Sequence, residues 1–196
     1  MSPFIETIRI ENGRIYNLPY HNRRMNETRR DVLHQTDTLD LSDYIRPGNY
    51  RERTKCRVEY GTEILKTDYA AYHIRPVSTL RLVAGDEAVY RYKSTDRSVL
   101  NRLFASRGAA DDVLVVRKGW LTDTSICNIA LWNGKQWITP SKPLLAGTKR
   151  ASLLEQGEIA TGDIRPDDLP AYSRIRLFNA MIEFGEIELP VDKIMF

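Results

Sequence analysis

Asn-Gly stands twice in this chain, at Asn12-Gly13 and Asn133-Gly134, and each pair separates runs in which apolar and polar residues alternate. Both residue types tolerate a positive φ, so the pair marks a tight turn between strands, and IRIENGRIY reads as a hairpin. The same period of two recurs in TKCRVEY, TLRLV, AVYRY, DDVLVVR, SRIRLFNA and EIELP. A chain punctuated in this way must build many short strands, and helices are left where the period fails.

One such place is YHNRRMNETRRDVLHQ, residues 20–35, which puts Met25, Val32 and Leu33 at helical spacing. DTLDLSDYIRPG predicts a second, short helix stopped by Pro47-Gly48, and EILKTDYAAYHIRP a strand pair ending near Pro76. From Leu80 onward the pattern is strands carrying single helices. One helix runs from about 95 to 107, opened by Ser94-Thr95-Asp96 where the AVYRY strand ends on Lys93. Another begins at Gly147, and a helical turn lies near Asp167. The fold class is therefore α+β. A small α+β domain over residues 1–78 precedes a larger β-rich domain over 79–196, the boundary resting on Pro76 and the change of pattern.

Composition removes several classes. With 42% hydrophobic residues among 196 and 28% charged, the chain is neither disordered nor collagen-like. No apolar run approaches the roughly 20 residues of a membrane span, and MSPFIETIRI lacks the basic and apolar blocks of a signal peptide. A net charge of +3 is too small to argue for nucleic acid, and the basic cluster HNRRMNETRR, interrupted by Glu27, reads as a solvated helix face. Cys56 and Cys127 fall inside strand-like runs without metal-ligand spacing, and read as buried, reduced thiols of a cytoplasmic protein.

Three histidines, His21, His34 and His73, stand apart from any serine or cysteine elbow, which argues against a triad hydrolase. There is no GxxxxGK[ST] or GxGxxG loop and no metal motif. Lysine remains, because a lysine can form a Schiff base with an aldehyde cofactor when its ammonium is destabilised. Lys93, between a strand and a helix cap, suits that role by position; alone, a strand-end lysine is an ordinary surface residue.

The surrounding motifs decide. FIETIRIENGRIYNLPYHNRRM, YKSTDR, AADDVLVV, LTDTSICN, IALW, ITP, LLAGTKRASLLE and RLFNAMIEFGEIEL occur in the order found in class IV, branched-chain-type pyridoxal-phosphate enzymes. The chain resembles that family over most of its length, and within it most resembles aminodeoxychorismate lyase, at GWLTDTSICN and LFNAM. The resemblance implies two domains, the second a larger antiparallel, barrel-like β domain with helices, with pyridoxal 5'-phosphate between them. It also implies a homodimer acting on a small amino substrate, with no part for nucleic acid or membrane.

Residue by residue, the resemblance implies that Lys93 holds the cofactor and shuttles the proton at the substrate's α-carbon. Asp123 falls on the acid that keeps the pyridine nitrogen protonated, one methylene shorter than the family's usual glutamate. Gly147 and Thr148 fall on the turn whose backbone N–H groups face the phosphate; Thr148 replaces an isoleucine and Lys149 a threonine, so Lys149 could supply charge instead. Arg24 falls on the arginine that reaches the phosphate. The matching His21 reads as structural and Asn128 as active-site support. Ser98 stands where some members have a tyrosine, and most of the residues that normally precede the FET strand are missing. The implied reaction is release of pyruvate and 4-aminobenzoate from 4-amino-4-deoxychorismate. The alternative is a branched-chain or D-amino-acid aminotransferase, with Arg46, Arg75 and Arg91 as candidates for the substrate carboxylate, and the third reading is a non-catalytic cofactor-binding member.

Overall fold

The computed structural model describes residues 3–48 and 50–196, which divide into two compact units. The first comprises Met1–Ile74 and Tyr92–Asp96, the second Arg75–Arg91 and Arg97–Phe196.

In the first unit, β1 (Phe4–Glu11) and β2 (Arg14–Ile15) form the hairpin expected at Asn12-Gly13, whose φ values are 51° and 71°. α1 (Leu18–Leu33) follows, opened by Pro19 in its first turn and closed by His34 in the left-handed region. A single 3-10 turn, Leu41–Asp43, stands where the short second helix was expected; Asp40 caps it by accepting from Ser42 N–H. β3 (Thr54–Tyr60) alternates buried and half-buried residues along its whole length, as TKCRVEY predicts, and pairs antiparallel with β1. β4 (Ile64–Ala71) is one strand where a pair was expected. The sheet order is β2-β1-β3-β4, and Ile8, Ile10, Cys56 and Val58 on it pack with Met25 of α1.

The basic cluster on α1 is a solvated face only in part. His21, Met25, Thr28 and Arg29 recur at helical spacing and are buried, while Arg23, Glu27 and Arg30 point outward. Arg29, 1% exposed, bonds the Asp37 carboxylate and the Thr62 and Asp37 carbonyls, which is how a buried guanidinium is tolerated.

The second unit holds β5 (Leu80–Ala84), α2 (Ser98–Ala105), β6 (Asp112–Arg117), β7 (Trp120–Thr124), β8 (Asn128–Trp132), β9 (Trp137–Pro140), α3 (Thr148–Glu155), β10 (Ile159–Gly162), β11 (Arg174–Phe178), β12 (Ile187–Pro190) and β13 (Ile194–Met195). They form two sheets, ordered β13-β5-β6-β7 and β10-β9-β8-β11-β12. The antiparallel arrangement expected here is mixed instead, since β5 is parallel to β6 and to β13, and β9 to β10. The helices explain two of these: α2 lies between β5 and β6 and α3 between β9 and β10, and a parallel pair needs such a crossover. The chain leaves one sheet at Thr124 and enters the other at Asn128, so the turn Ser125–Cys127 joins the two.

AVYRY, expected as a strand, is irregular and bends at Arg91 and Tyr92. Ala88 and Tyr90 are buried and Val89 is exposed, so the alternation records a segment packed on one side. α2 begins later than the Ser94-Thr95-Asp96 signal suggested, because these residues are tied to β1: Ser94 bridges Phe4, and Thr95 N–H donates to the Pro3 carbonyl at 2.9 Å.

Candidate active site

Within the first unit, α1 brings His21 and Arg24, three residues apart on one helix face, onto Glu6 of β1. Glu6 is fully buried; its Oε2 lies 2.5 Å from His21 Nδ1 and accepts from Arg24 Nη2 at 2.6 Å, and its Oε1 accepts from Arg24 Nε at 2.9 Å. Burial alone would raise the carboxyl's pKa, but the Arg24 charge and the His21 bond outweigh it and hold it at about 2. His21 is lowered from its usual 6.5, chiefly by burial, against the pull of Glu6 and with help from the Arg24 and Lys93 charges. It is therefore neutral near pH 7, with Nδ1–H donating to Glu6.

Lys93 belongs to this unit. Its carbonyl accepts from Ile5 N–H at 2.9 Å, which fixes its backbone beside β1, one residue from Glu6, in irregular structure and not at a strand end.

Within the second unit, Asp123 is 5% exposed on β7. Its Oδ1 accepts from Asn128 Nδ2 and its Oδ2 from Leu145 N–H, both at 2.9 Å. Burial pushes its carboxyl up to about 6 despite these donors and the Arg150 charge. Arg150 of α3, also buried, is held by Thr139 Oγ1 at 3.2 Å and the Pro140 carbonyl at 2.8 Å. Gly147 is the N-cap of α3 and has no side chain to occupy the first-turn N–H groups; Thr148 beside it is buried. Lys149 is ion-paired to Glu183.

The sequence profile of the aminotransferase class IV family matches residues 4–189. The chain belongs to that family. An uncharacterized Haemophilus influenzae protein is 35% identical over 185 residues, covering 92% of this chain and 98% of the relative. A Schizosaccharomyces pombe protein named as a candidate aminodeoxychorismate lyase is 38% identical over 98 residues, 45% of this chain and 42% of its own. Among solved structures, a candidate 4-amino-4-deoxychorismate lyase from Haemophilus somnus 129PT superposes with a TM-score of 0.87 at 34% identity, covering 93% of this chain and 97% of that one. The pyridoxal-phosphate-bound form of a hypothetical aminotransferase from Mycobacterium tuberculosis shares the fold, with a TM-score of 0.74 at 17% identity, over 95% of this chain and 80% of its own.

The expected class IV residues thus fall in two groups: Lys93 and Arg24 in the first unit, and Asp123, Gly147, Thr148 and Lys149 in the second. Asn128, expected only as support, is bonded directly to Asp123. Glu6 was missed, although its signal was present: FIETIRI places one acid in a strand otherwise largely apolar, opposite the HxxR spacing of α1. Of the arginines weighed for a substrate carboxylate, Arg75 bonds Asp112 at 2.7 Å, Arg46 bonds the carbonyls of its own loop, and Arg91 is exposed. Among the described residues no cluster suits a metal ion and no helix is long and apolar enough to cross a membrane.

Proposed function

We propose that this protein is a pyridoxal-phosphate-dependent 4-amino-4-deoxychorismate lyase. The observation that carries the cofactor is Asp123, a buried carboxylate held by two donors, whose remaining lone pairs suit a protonated pyridine nitrogen. The lyase reading is supported by likeness over nearly the whole length to the Haemophilus somnus protein of that candidate name.

Each unit taken by itself carries residues suited to the cofactor. In the first, the family resemblance would give Lys93 Nζ to its aldehyde carbon; in the second, the first turn of α3 at Gly147 and Thr148 offers backbone N–H groups suited to its phosphate and Asp123 a carboxylate suited to its ring. Lys149 is committed to Glu183, and Arg24 turns Nε and Nη2 to Glu6, so neither presents a dedicated fork to an anion. When bound, pyridoxal phosphate supplies an electron sink for charge at the substrate's α-carbon. Lys93 would accept the α-proton, and pyruvate and 4-aminobenzoate would leave.

An aminotransferase would use the same residues on an amino acid. Both substrates carry carboxylates, so Arg46 and Arg75 do not choose between the two readings. We further propose a cytoplasmic homodimer; light scattering at the mass of one chain would count against the dimer. The functional test is to reconstitute the protein with pyridoxal phosphate and supply enzymatically generated aminodeoxychorismate. Equimolar pyruvate and 4-aminobenzoate support the lyase, whereas keto acid formed from an amino acid, with conversion to pyridoxamine phosphate, supports the aminotransferase.

A further inference from the structure

The Asn128 side chain is enclosed on three sides. Its Nδ2 donates to Asp123 Oδ1 and to the Leu145 carbonyl, each at 2.9 Å, while Leu145 N–H donates to Asp123 Oδ2. One residue thus presents both backbone groups to the pair, closing a ring of bonds around the carboxylate. On the third side lies Gly147, where an added Cβ would overlap Asn128 Oδ1. Gly147 has φ −68° and ψ 145°, values any residue adopts, so its requirement for glycine is steric and comes from Asn128.

We propose that Asn128 is the positioning residue for Asp123: its amide fixes the carboxylate against the Leu145 loop, and Gly147 is glycine because that amide fills the space of a side chain. The proposal rests on the functional reading for its purpose, since a carboxylate aimed at a pyridine nitrogen must be held in one orientation. The other groups acting on Asp123 are the Leu144 N–H and the Arg150 charge on α3, while Cys127 in the adjoining turn stays a thiol, its pKa pushed up to about 12 by burial. Arg150 is held by β9 independently of Asn128.

The experiment is a pH titration of the full chain without added cofactor, following the Asp123 carboxyl carbon and the Asn128 side-chain amide by NMR. In the unaltered protein both should move together, with a midpoint near 6; an Asn128 amide that ignores the Asp123 titration overturns the proposal. Asn128→Ala should raise the midpoint by about one unit, and Asn128→Asp by more, because a like charge then replaces a donor. Gly147→Ala should raise it too, although it removes no polar group. If Asn128 only braces the loop, these variants will melt earlier with the Asp123 midpoint unmoved, which would also overturn it. Should the variants fail to fold, the titration of the unaltered protein decides. Pyridoxal phosphate is added last: a coupled titration in a protein that binds no cofactor would sink the functional reading and leave the Asn128–Asp123 coupling standing.

Discussion

Glu6 Oε2 and His21 Nδ1 lie 2.5 Å apart with neither side chain exposed to solvent, and Arg24 closes on the same carboxylate from one helical turn further along. One acid therefore answers two basic side chains in the interior of the first unit. Its ionisation keeps the largely buried Arg24 compensated, and neutral His21 adds a hydrogen bond without adding a charge.

Replacing Glu6 by Gln should accordingly destabilise the protein by roughly 2–4 kcal/mol at pH 7, because it leaves a largely buried guanidinium without its counterion. The Glu6 pKa is depressed from 4.5 to about 2 on folding, so its contribution is complete above about pH 5 and is lost as pH falls toward 2. The stability gap between the two proteins in urea should thus be constant from pH 5 to 8 and close below pH 4. A gap that persists at pH 2.5 would show that packing, not charge, carries the effect.

Cys56 and Cys127 are free and buried, and burial pushes both thiols up to about 12. Neither forms a useful thiolate at neutral pH. A disulfide reagent should titrate no thiol in the native protein and two after denaturation, and thiol-blocking reagents should leave activity unchanged. Fast native labelling of either would contradict the burial.

Asp123 is raised from 3.8 to about 6 by burial, so its charged form costs the cofactor-free protein stability as pH rises through that interval. The same charge is what a protonated pyridine would pair with. Asp123→Asn should therefore weaken pyridoxal phosphate binding at pH 8, and the gap from the unaltered protein should shrink as pH falls below about 6. Equilibrium dialysis across pH 5–8 measures it, and a gap independent of pH would remove Asp123 from the ring nitrogen.

Much of this site lies in the sequence as local pattern. Asn12-Gly13 fixes a hairpin through backbone preferences alone, TKCRVEY fixes β3 through its period, and Gly147 marks the start of α3. What escaped depends on distant partners. AVYRY has the alternation of a strand but folds as an irregular segment with a bend; Ser94 is an adequate cap, but Phe4 claims its backbone first. Arg24 and Arg29 look like surface charges until Glu6 and Asp37, 18 and 8 residues away, are brought against them. The Asn128–Gly147 contact joins positions on separate elements that no local rule connects.

Lys149 has its ammonium paired with Glu183, which is partly exposed. Such a pair at the surface is worth at most about 1 kcal/mol. If phosphate binding relies on the N–H groups of α3, Lys149→Met should weaken pyridoxal phosphate binding less than about fivefold. A loss of a hundredfold, read by the same dialysis, would instead make the ammonium a principal phosphate ligand.

Lys93 is anchored through its backbone: the bond from Ile5 N–H goes to its carbonyl and survives any side-chain replacement. Lys93→Ala should therefore fold with a melting temperature within a few degrees of the unaltered protein while losing at least about a thousandfold in turnover, as removal of a covalent amine requires. Borohydride should fix the cofactor to a peptide containing Lys93 in the unaltered protein and to none in the variant. Retained borohydride labelling in Lys93→Ala would transfer the role to another lysine. A protein that folds, binds cofactor and turns over at an unchanged rate without Lys93 would overturn the catalytic assignment altogether.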